Sequence, residues 1–302
     1  MDHIQKQFCL LVLAAGKGTR MRSKMPKVLQ TLLEEPLLYY PLSAATEAGI
    51  CDVAVMVGFE GEKVESWLSG RFPDAEILWQ REQLGTGHAA KLALPWWQKY
   101  DNVMILAGDT PLITSRTIKN FAEYHLASEN KCTVLSFETD NPTGYGRVIR
   151  GESGVRIVEH KDASEEELAC REVNSGMYIF ETEALASVIE KISCKNAQKE
   201  YYLPDALSLI SQSGGKVSAV KSEFPDEFIG VNDPVQLAEV SAIMRDSTAR
   251  KWMQRGVRIM DPASTWIAPG VSIGEDTVVE PNVQMWGRTS VGSGCRVGSF
   301  TV

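Results

Sequence analysis

The residues best suited to chemistry stand close together near the start of the chain. Leu13, Ala14, Ala15 and Gly16 end an apolar run, and Gly18, Arg20 and Lys27 follow. Side chains this small let backbone N–H groups approach a ligand, and glycine supplies a positive φ where a loop needs one. Arg20 and Lys27 add two cations. Together these features meet the needs of a bound polyphosphate, which presents acceptor oxygens and negative charge. A second stretch, Gln80-Arg-Glu-Gln-Leu-Gly-Thr-Gly-His-Ala-Ala90, opens its backbone at Gly85 and offers Gln80 and Thr86 as short-range groups for the edge of a base. Taken alone, it is equally a flexible turn ahead of a helix. A third apolar run, from Asn102, ends in Gly108-Asp109. A strand-terminal Asp is commonly a turn or cap residue. Beside a polyphosphate, Asp109 becomes a candidate Mg²⁺ ligand, because Mg²⁺ takes one or two carboxylates together with phosphate oxygens.

Two familiar phosphate loops do not fit. The dinucleotide fingerprint requires Gly where Met21 stands, and the P-loop requires a Gly-Lys-Ser/Thr that the chain from Gly16 does not supply. Four histidines without metal-site spacing argue against zinc, so any metal is expected to be hard and oxygen-bound. The six cysteines are scattered without C-x-x-C and read as reduced, packed thiols. A net charge of −8 argues against nucleic-acid and anionic-membrane partners, which favour basic surfaces. No apolar run approaches a membrane span, and the polar start Met1-Asp-His-Ile-Gln-Lys-Gln leaves no room for a signal segment, so a cytoplasmic location is expected.

The elements that must position these groups follow from periodicity. Phe8 to Leu13 is a strand buried on both faces. Helical spacing follows from Pro36 to Gly49, then a strand Cys51–Val57, a short helix Glu62–Leu68, a strand Ala75–Trp79 and a helix 88–94. This rhythm predicts an α/β, doubly wound, Rossmann-like sheet with ligands at the strand carboxyl ends. A helix Ser115–Ala127 and a strand Cys132–Phe137 come next, then a glycine turn into a hairpin of residues 142–149 with 155–159, a charged stretch 161–171, and strands Glu172–Phe180 and Gly214–Val220. The hairpin is expected over the sheet edge as a wall of the site. A long helix starts at Pro234. Beyond it Ile267, Ile273, Val279, Met285, Val291 and Val297 recur every six residues, with a second register from Thr265 to Thr301. Such a repeat means a parallel β-helix, in which each coil stacks its aliphatic residues on the next.

The first loop resembles, residue by residue, the L-A-A-G-x-G-T-R-M-x(n)-P-K signature of sugar-1-phosphate nucleotidyltransferases, and Q-x-x-x-L-G-T-G-x-A is similar to their second block. Adding Glu159 in I-V-E-H-K-D, Asn174 in N-S-G, Asn196 to Tyr202 in N-A-Q-x-E-Y-Y and Asn232 in G-V-N, residues 8–255 resemble the uridyltransferase domain of bacterial bifunctional N-acetylglucosamine-1-phosphate uridyltransferase/glucosamine-1-phosphate acetyltransferases. The resemblance implies transfer of UMP from UTP to N-acetyl-α-D-glucosamine 1-phosphate, with pyrophosphate released, for cell-wall precursor synthesis. Leu13, Ala14, Ala15, Gly16 and Lys27 would hold the nucleotide, with Gln80, Gly85 and Thr86 around uracil. Gly146, Glu159 and Asn174 would contact the sugar, Asp109 and Asn232 would hold Mg²⁺, and Arg20 and Lys27 would neutralise phosphate charge. Ala107 departs from the family, which often has an aromatic there. The rivals are uridylyl or thymidylyl transfer to another hexose 1-phosphate, and a non-catalytic nucleotide-binding assembly subunit. The implied organisation is a nucleotidyltransferase domain (1–233), a linker helix (234–256) and a truncated hexapeptide-repeat, left-handed β-helix (257–302). Acetyl transfer is not expected from so short a repeat, and a homotrimer is expected only with a full-length one.

Overall fold

The computed structural model describes residues 7–151 and 154–302; the polar segment Met1–Lys6 and the hairpin residues 152–153 lie outside the described residues. The strands of the large sheet are β1 (Phe8–Ala14), β2 (Val53–Val57), β3 (Glu76–Trp79), β4 (Asn102–Ala107), β5 (Cys132–Glu138), β6 (Arg147–Gly151), β7 (Gly154–Val158), β8 (Glu172–Glu181) and β9 (Val217–Lys221). They form a nine-stranded sheet whose main path is β9-β5-β8-β4-β1-β2-β3, with β6 and β7 attached through β8. Side chains alternate across a strand, so β1 sends Leu10 and Val12 into one core and Cys9 and Leu11 into the other. That two-sided burial is why its sequence is apolar without alternation.

The doubly wound expectation describes β3-β2-β1-β4, where all pairs are parallel. The rest of the sheet is mixed, because β8 runs antiparallel to both β4 and β5. Between Asn174 and Tyr178 the β8–β5 register shifts, leaving a bulge that turns side chains toward the cleft. Val173 of β8 pairs with Arg147 of β6, which joins the hairpin to the sheet, but no residue of the hairpin strands lines the cleft described below.

The helices are α1 (Tyr39–Ala48), α2 (Gly61–Arg71), α3 (Thr86–Leu92), α4 (Ser115–Ala127), α5 (Thr182–Ile189), α6 (Asp205–Gln212) and α7 (Pro234–Gln254), with short turns between. Several expected boundaries move, and two helix starts move by two residues or more. Pro36 does not open α1; it pairs with Thr31 in a two-residue ladder around Leu33 and Glu34, and the helix starts at Tyr39. The helix expected at 88–94 begins two residues earlier, at Thr86, and Pro95 opens a separate turn, Leu94–Trp97. The charged stretch 161–171 contains one short helix, Glu165–Leu168, closed by a Ser164–Glu167 capping box.

Helix α7 contributes to two cores. Val240 packs with Leu32, Leu37 and Val231, while Ala249 and Trp252 join Ile259, Ile267, Val279 and Met285 of the tail. In the tail, Trp266–Ile267 pairs with Gln284–Met285, Ser272–Ile273 with Ser290–Val291, and Val278–Val279 with both Arg258–Ile259 and Arg296–Val297, all parallel. These ladders are compatible with the expected parallel β-helix. In the second register, Thr277 is buried; its hydroxyl donates to Gly292 O (2.7 Å) and accepts from Cys295 N (3.2 Å). Among the described residues, no helix is long and apolar enough to cross a membrane.

Candidate functional site

The candidate residues gather at the carboxyl ends of β1, β3 and β4. Lys27 opens the 3₁₀ turn Lys27–Leu29 after Pro26, which restricts the backbone before it. Its approach depends on Gly18, which has a φ of +55° and where a Cβ would lie 2.6 Å from Lys27 Cβ. Asp109 follows β4, and its carbonyl accepts from Val231 N at 2.9 Å, which draws Asn232 alongside. Asn232 N donates to Gln236 Oε1 (2.8 Å), and Asp233 caps α7 by accepting from Val235 N and Gln236 N, each at 2.9 Å. Lys27 Nζ donates to Asp109 Oδ2 and, at 3.0 Å, to Asn232 Oδ1. Three residues separated widely in sequence therefore meet around one positive charge.

Two cavities adjoin this cluster. One, of about 270 Å³, is lined by Ala14, Lys27, Asp109, Glu159 and Asn174 among others. The other, of about 680 Å³, is lined by Ala15, Lys17, Gln80, Arg81 and Gly85 among others. Leu13, Gly16 and Thr86 line both, so the two are lobes of one cleft. A Cβ at Gly16 would meet no atom within 4 Å, so a side chain there would project into open space.

In the larger lobe, the loop after Gln80 is held by residues from far along the chain. Gly85 has φ +106°, and a Cβ on it would lie 2.6 Å from Tyr201 O. Gly87 N donates to Tyr201 O (2.7 Å), and Tyr201 N to Leu84 O (2.8 Å). Thr86 Oγ1 accepts from Leu203 N at 3.1 Å, so its hydroxyl serves the loop as well as the cleft. Gln80 is buried, and its Nε2 donates to Gly85 O at 3.0 Å. In the smaller lobe, the β8 bulge orients Asn174: its Oδ1 accepts from Gly176 N (3.0 Å) and its Nδ2 donates to Tyr178 Oη (2.5 Å). Gly146 backs Glu159, since a Cβ there would stand 3.3 Å from Glu159 Oε1, but it does not itself line the lobe. Burial, reinforced by the negative charges of Asp162, Asp205 and Glu200, raises the pKa of Glu159 above the usual carboxylate value.

The structure thus brings Leu13, Ala14, Ala15, Gly16, Lys27, Gln80, Gly85, Thr86, Asp109, Glu159 and Asn174 onto one cleft, with Asn232 bonded to Lys27 and Gly146 behind Glu159. Arg20 is exposed on the turn Thr19–Met21 and lines neither lobe. Ala107, where an aromatic was the family expectation, lines the smaller lobe. Sequence reasoning missed Tyr178 and Asp162. The latter accepts from Ala197 N (2.9 Å) and Tyr202 Oη (3.2 Å), tying the N-A-Q-x-E-Y-Y segment to the Glu159 loop. Asp162 ends the quoted I-V-E-H-K-D and Tyr178 stands two residues past N-S-G, but nothing local distinguishes a tethering Asp from a solvated one.

Asp109 and Asn232 supply a carboxylate and an amide oxygen already gathered around a cation, the Lys27 ammonium. That hard oxygen pair suits Mg²⁺ completed by phosphate oxygens. Among the described residues, no group of three or more His, Cys, Asp and Glu side chains is arranged to hold a metal without such help.

The chain is 46% identical over 95% of its length to the bifunctional protein GlmU of Caldanaerobacter subterraneus subsp. tengcongensis, covering 63% of that protein. It is 44% identical over 95% of its length to the bifunctional protein GlmU of an Exiguobacterium species, covering 64%. The chain therefore spans a little under two thirds of these relatives. A solved structure from Bacillus anthracis, assigned as a glucose-1-phosphate thymidylyltransferase, superposes with a TM-score of 0.62 over 79% of this chain and 96% of that one at 18% identity, a likeness of fold. Residues 10–171, which carry the first loop, the loop after Gln80, Asp109 and Glu159, match the MobA-like NTP transferase domain, and the chain belongs to that family.

Proposed function

We propose that this chain transfers UMP from UTP to N-acetyl-α-D-glucosamine 1-phosphate, yielding UDP-N-acetylglucosamine and pyrophosphate. The observation that carries the reading is the convergence of Lys27, Asp109 and Asn232 beside the smaller lobe, which joins the larger one at Leu13, Gly16 and Thr86. The larger lobe suits the nucleotide and the smaller one, with Glu159 and Asn174, suits a hydroxyl- and amide-bearing sugar. The relatives named GlmU support the same assignment.

A phosphate oxygen of the sugar phosphate forms a bond to the α-phosphorus while the bond from that phosphorus to the β-phosphate bridging oxygen breaks. Among the described residues, neither lobe is lined by Ser, Cys or His, and the reaction needs no protein nucleophile because the sugar phosphate is itself one. The protein's work is positioning and charge neutralisation. Backbone groups from Leu13 to Gly16 fix the phosphates, and Lys27 exchanges its present partners for phosphate oxygens. Asp109 and Asn232 would hold Mg²⁺, which when bound supplies further charge compensation on the phosphates. Glu159 and Asn174 orient the sugar so that its phosphate lies in line.

The test is pyrophosphate release from UTP across a panel of sugar 1-phosphates. Preferential turnover of N-acetylglucosamine 1-phosphate is expected. Preference for an unacetylated hexose 1-phosphate would reassign the acceptor, and no turnover with any sugar would overturn the reading.

A further inference from the structure

We propose that His88, which lines neither lobe of the cleft, positions Gln80 so that it presents only an acceptor to the base, and thereby selects a pyrimidine that carries a ring N–H. The inference rests on the uridylyl-transfer reading.

Gln80 is only 4% exposed and follows β3, with its backbone N donating to Val57 O at 2.8 Å. Its side-chain nitrogen faces Gly85 O at 3.0 Å and His88 Nδ1 at 3.1 Å. A carbonyl oxygen can only accept, so the atom facing Gly85 O is the NH₂ group, which fixes the amide's orientation. Both N–H bonds of that group are then used, one toward Gly85 and one toward His88. The second requires His88 Nδ1 to carry a lone pair, which places the imidazole proton on Nε2. Oε1 is left over. Among the described residues no hydrogen bond reaches it, and the buried side-chain polar atom without a partner is Arg147 Nε rather than Gln80 Oε1. Oε1 is therefore accessible, and Gln80 lines the larger lobe.

An accessible acceptor held in a fixed orientation discriminates between bases. Uracil presents O2 and O4, which repel Oε1, and one donor between them, N3–H. Cytosine has a lone pair at the same nitrogen, so it would leave Oε1 facing another acceptor, at the cost of an unmade buried hydrogen bond. Without His88 Nδ1, Gly85 O alone holds the amide, and the orientation that presents Oε1 to the base loses one of its two hydrogen bonds. His88 itself faces away from the cleft, onto a separate cavity shared with Leu92 and Ile189, and its ring is 6.3 Å from that of Tyr201. It acts through Gln80 and is a positioning residue.

The experiment measures kcat/KM for UTP and CTP, together with direct calorimetric binding of each nucleotide, in the wild-type chain and in His88→Phe, His88→Ala and His88→Asn. In Asn the side-chain oxygen can take the place of Nδ1 as acceptor. The Phe and Ala variants should lose about tenfold of the preference for UTP over CTP, the worth of roughly one hydrogen bond. The loss should appear in KM, with kcat and the KM for the sugar phosphate unchanged. His88→Asn should restore the preference. Retention of the preference in both Phe and Ala variants, or its equal loss in His88→Asn, would overturn the proposal, and so would a wild-type chain that turns over CTP as readily as UTP. A wild-type chain that binds UTP over CTP but releases no pyrophosphate with any sugar phosphate would sink the reaction assignment and leave the role of His88 standing on the binding data.

Discussion

The cleft and the tail of this molecule solve the same problem, placing particular side chains next to one another, by opposite means. In the tail the partner of a residue is found by counting: Val279 pairs with Val297, Met285 with Ile267, and Val291 with Ile273, each one coil away. In the cleft no counting rule works. Lys27 meets Asp109 and Asn232, 82 and 205 residues away, and Gly85 packs on Tyr201. A repeat makes neighbours automatic, so its residues need only be aliphatic and in register. A non-repeating site is assembled from loops that each require their own local device. Here these are the positive φ of Gly18 beneath Lys27, the β8 bulge behind Asn174, and the Asp233 cap beside Asn232.

The sharpest way to break the comparison is at the point of longest-range convergence. Lys27→Ala should lower turnover by about 10²- to 10³-fold, the scale seen when one preorganised transition-state contact is lost. Its circular dichroism should match the wild type, because Lys27 faces the cleft. Near-normal steady-state turnover would show that the charge on the transferred phosphate is met elsewhere. Asp109→Asn comes next: replacing the carboxylate by a neutral amide should raise the Mg²⁺ concentration for half-maximal activity by about tenfold. An unchanged Mg²⁺ titration would remove Asp109 from the proposed metal site.

How far the two regions could be read from sequence follows the same division. The six-residue register predicted the tail's strand positions closely, since spacing alone carries that information. The buried strands β1 and β4 were equally visible, as continuous apolar runs ending in glycine. The orientation of β8 was not, because an antiparallel strand inserted in a parallel sheet has the same apolar composition as its neighbours. Pro36 was misplaced for a related reason. Its fit to a helix's first turn is a local preference, and the tertiary pairing of Thr31 with Pro36 overrides it. Gln80 was singled out as a source of donors and acceptors, yet its donors are spent within the protein, a fact that depends on where His88 and Gly85 fold back.

Glu159 tests a smaller effect, one set by surroundings rather than by a partner. Its raised pKa comes first from burial and then from Asp162, Asp205 and Glu200, so it titrates above the ordinary 4.5. If its carboxylate accepts from sugar hydroxyls, the KM for the sugar phosphate should rise several-fold as pH falls through that raised value, the size of one weakened hydrogen bond. The KM for UTP should stay level. The linkage to stability has the opposite direction: a folded-state pKa above the unfolded value makes this group's contribution greatest at low pH, and that contribution is lost as pH rises through the raised pKa. Glu159→Gln should flatten both profiles. A sugar KM that shows the same pH dependence in the Gln variant would assign the titration to another group.

The weakest expected effect on activity is the most direct test of the tail's independence. Val279 is fully buried, and it packs within a cluster formed by tail residues together with Ala249 and Trp252 of α7, apart from the two clusters that flank the large sheet. Val279→Ala removes two carbons from that stack and should cost about 2 kcal/mol of local stability, from lost burial and the cavity left behind. Its ladder partners lie one coil away on either side, at Ile259 and Val297, so the damage should spread along the coil. It has a path toward the cleft in two places. One is α7, which shares both cores, and the other is the hydrogen bond from Gly287 N to Glu34 on the turn before α1. Helix α7 does reach Asn232, through Gln236 Oε1, but at the end of the helix opposite Ala249 and Trp252, so kcat and both KM values should stay within about twofold, a shift of under 0.5 kcal/mol. Hydrogen exchange should show faster opening of amides from 258 to 297 while those of β1 and β4 keep their protection. A matching loss of protection in β1, or a tenfold fall in turnover, would show that the repeat and the cleft fold as one cooperative unit despite their separate cores.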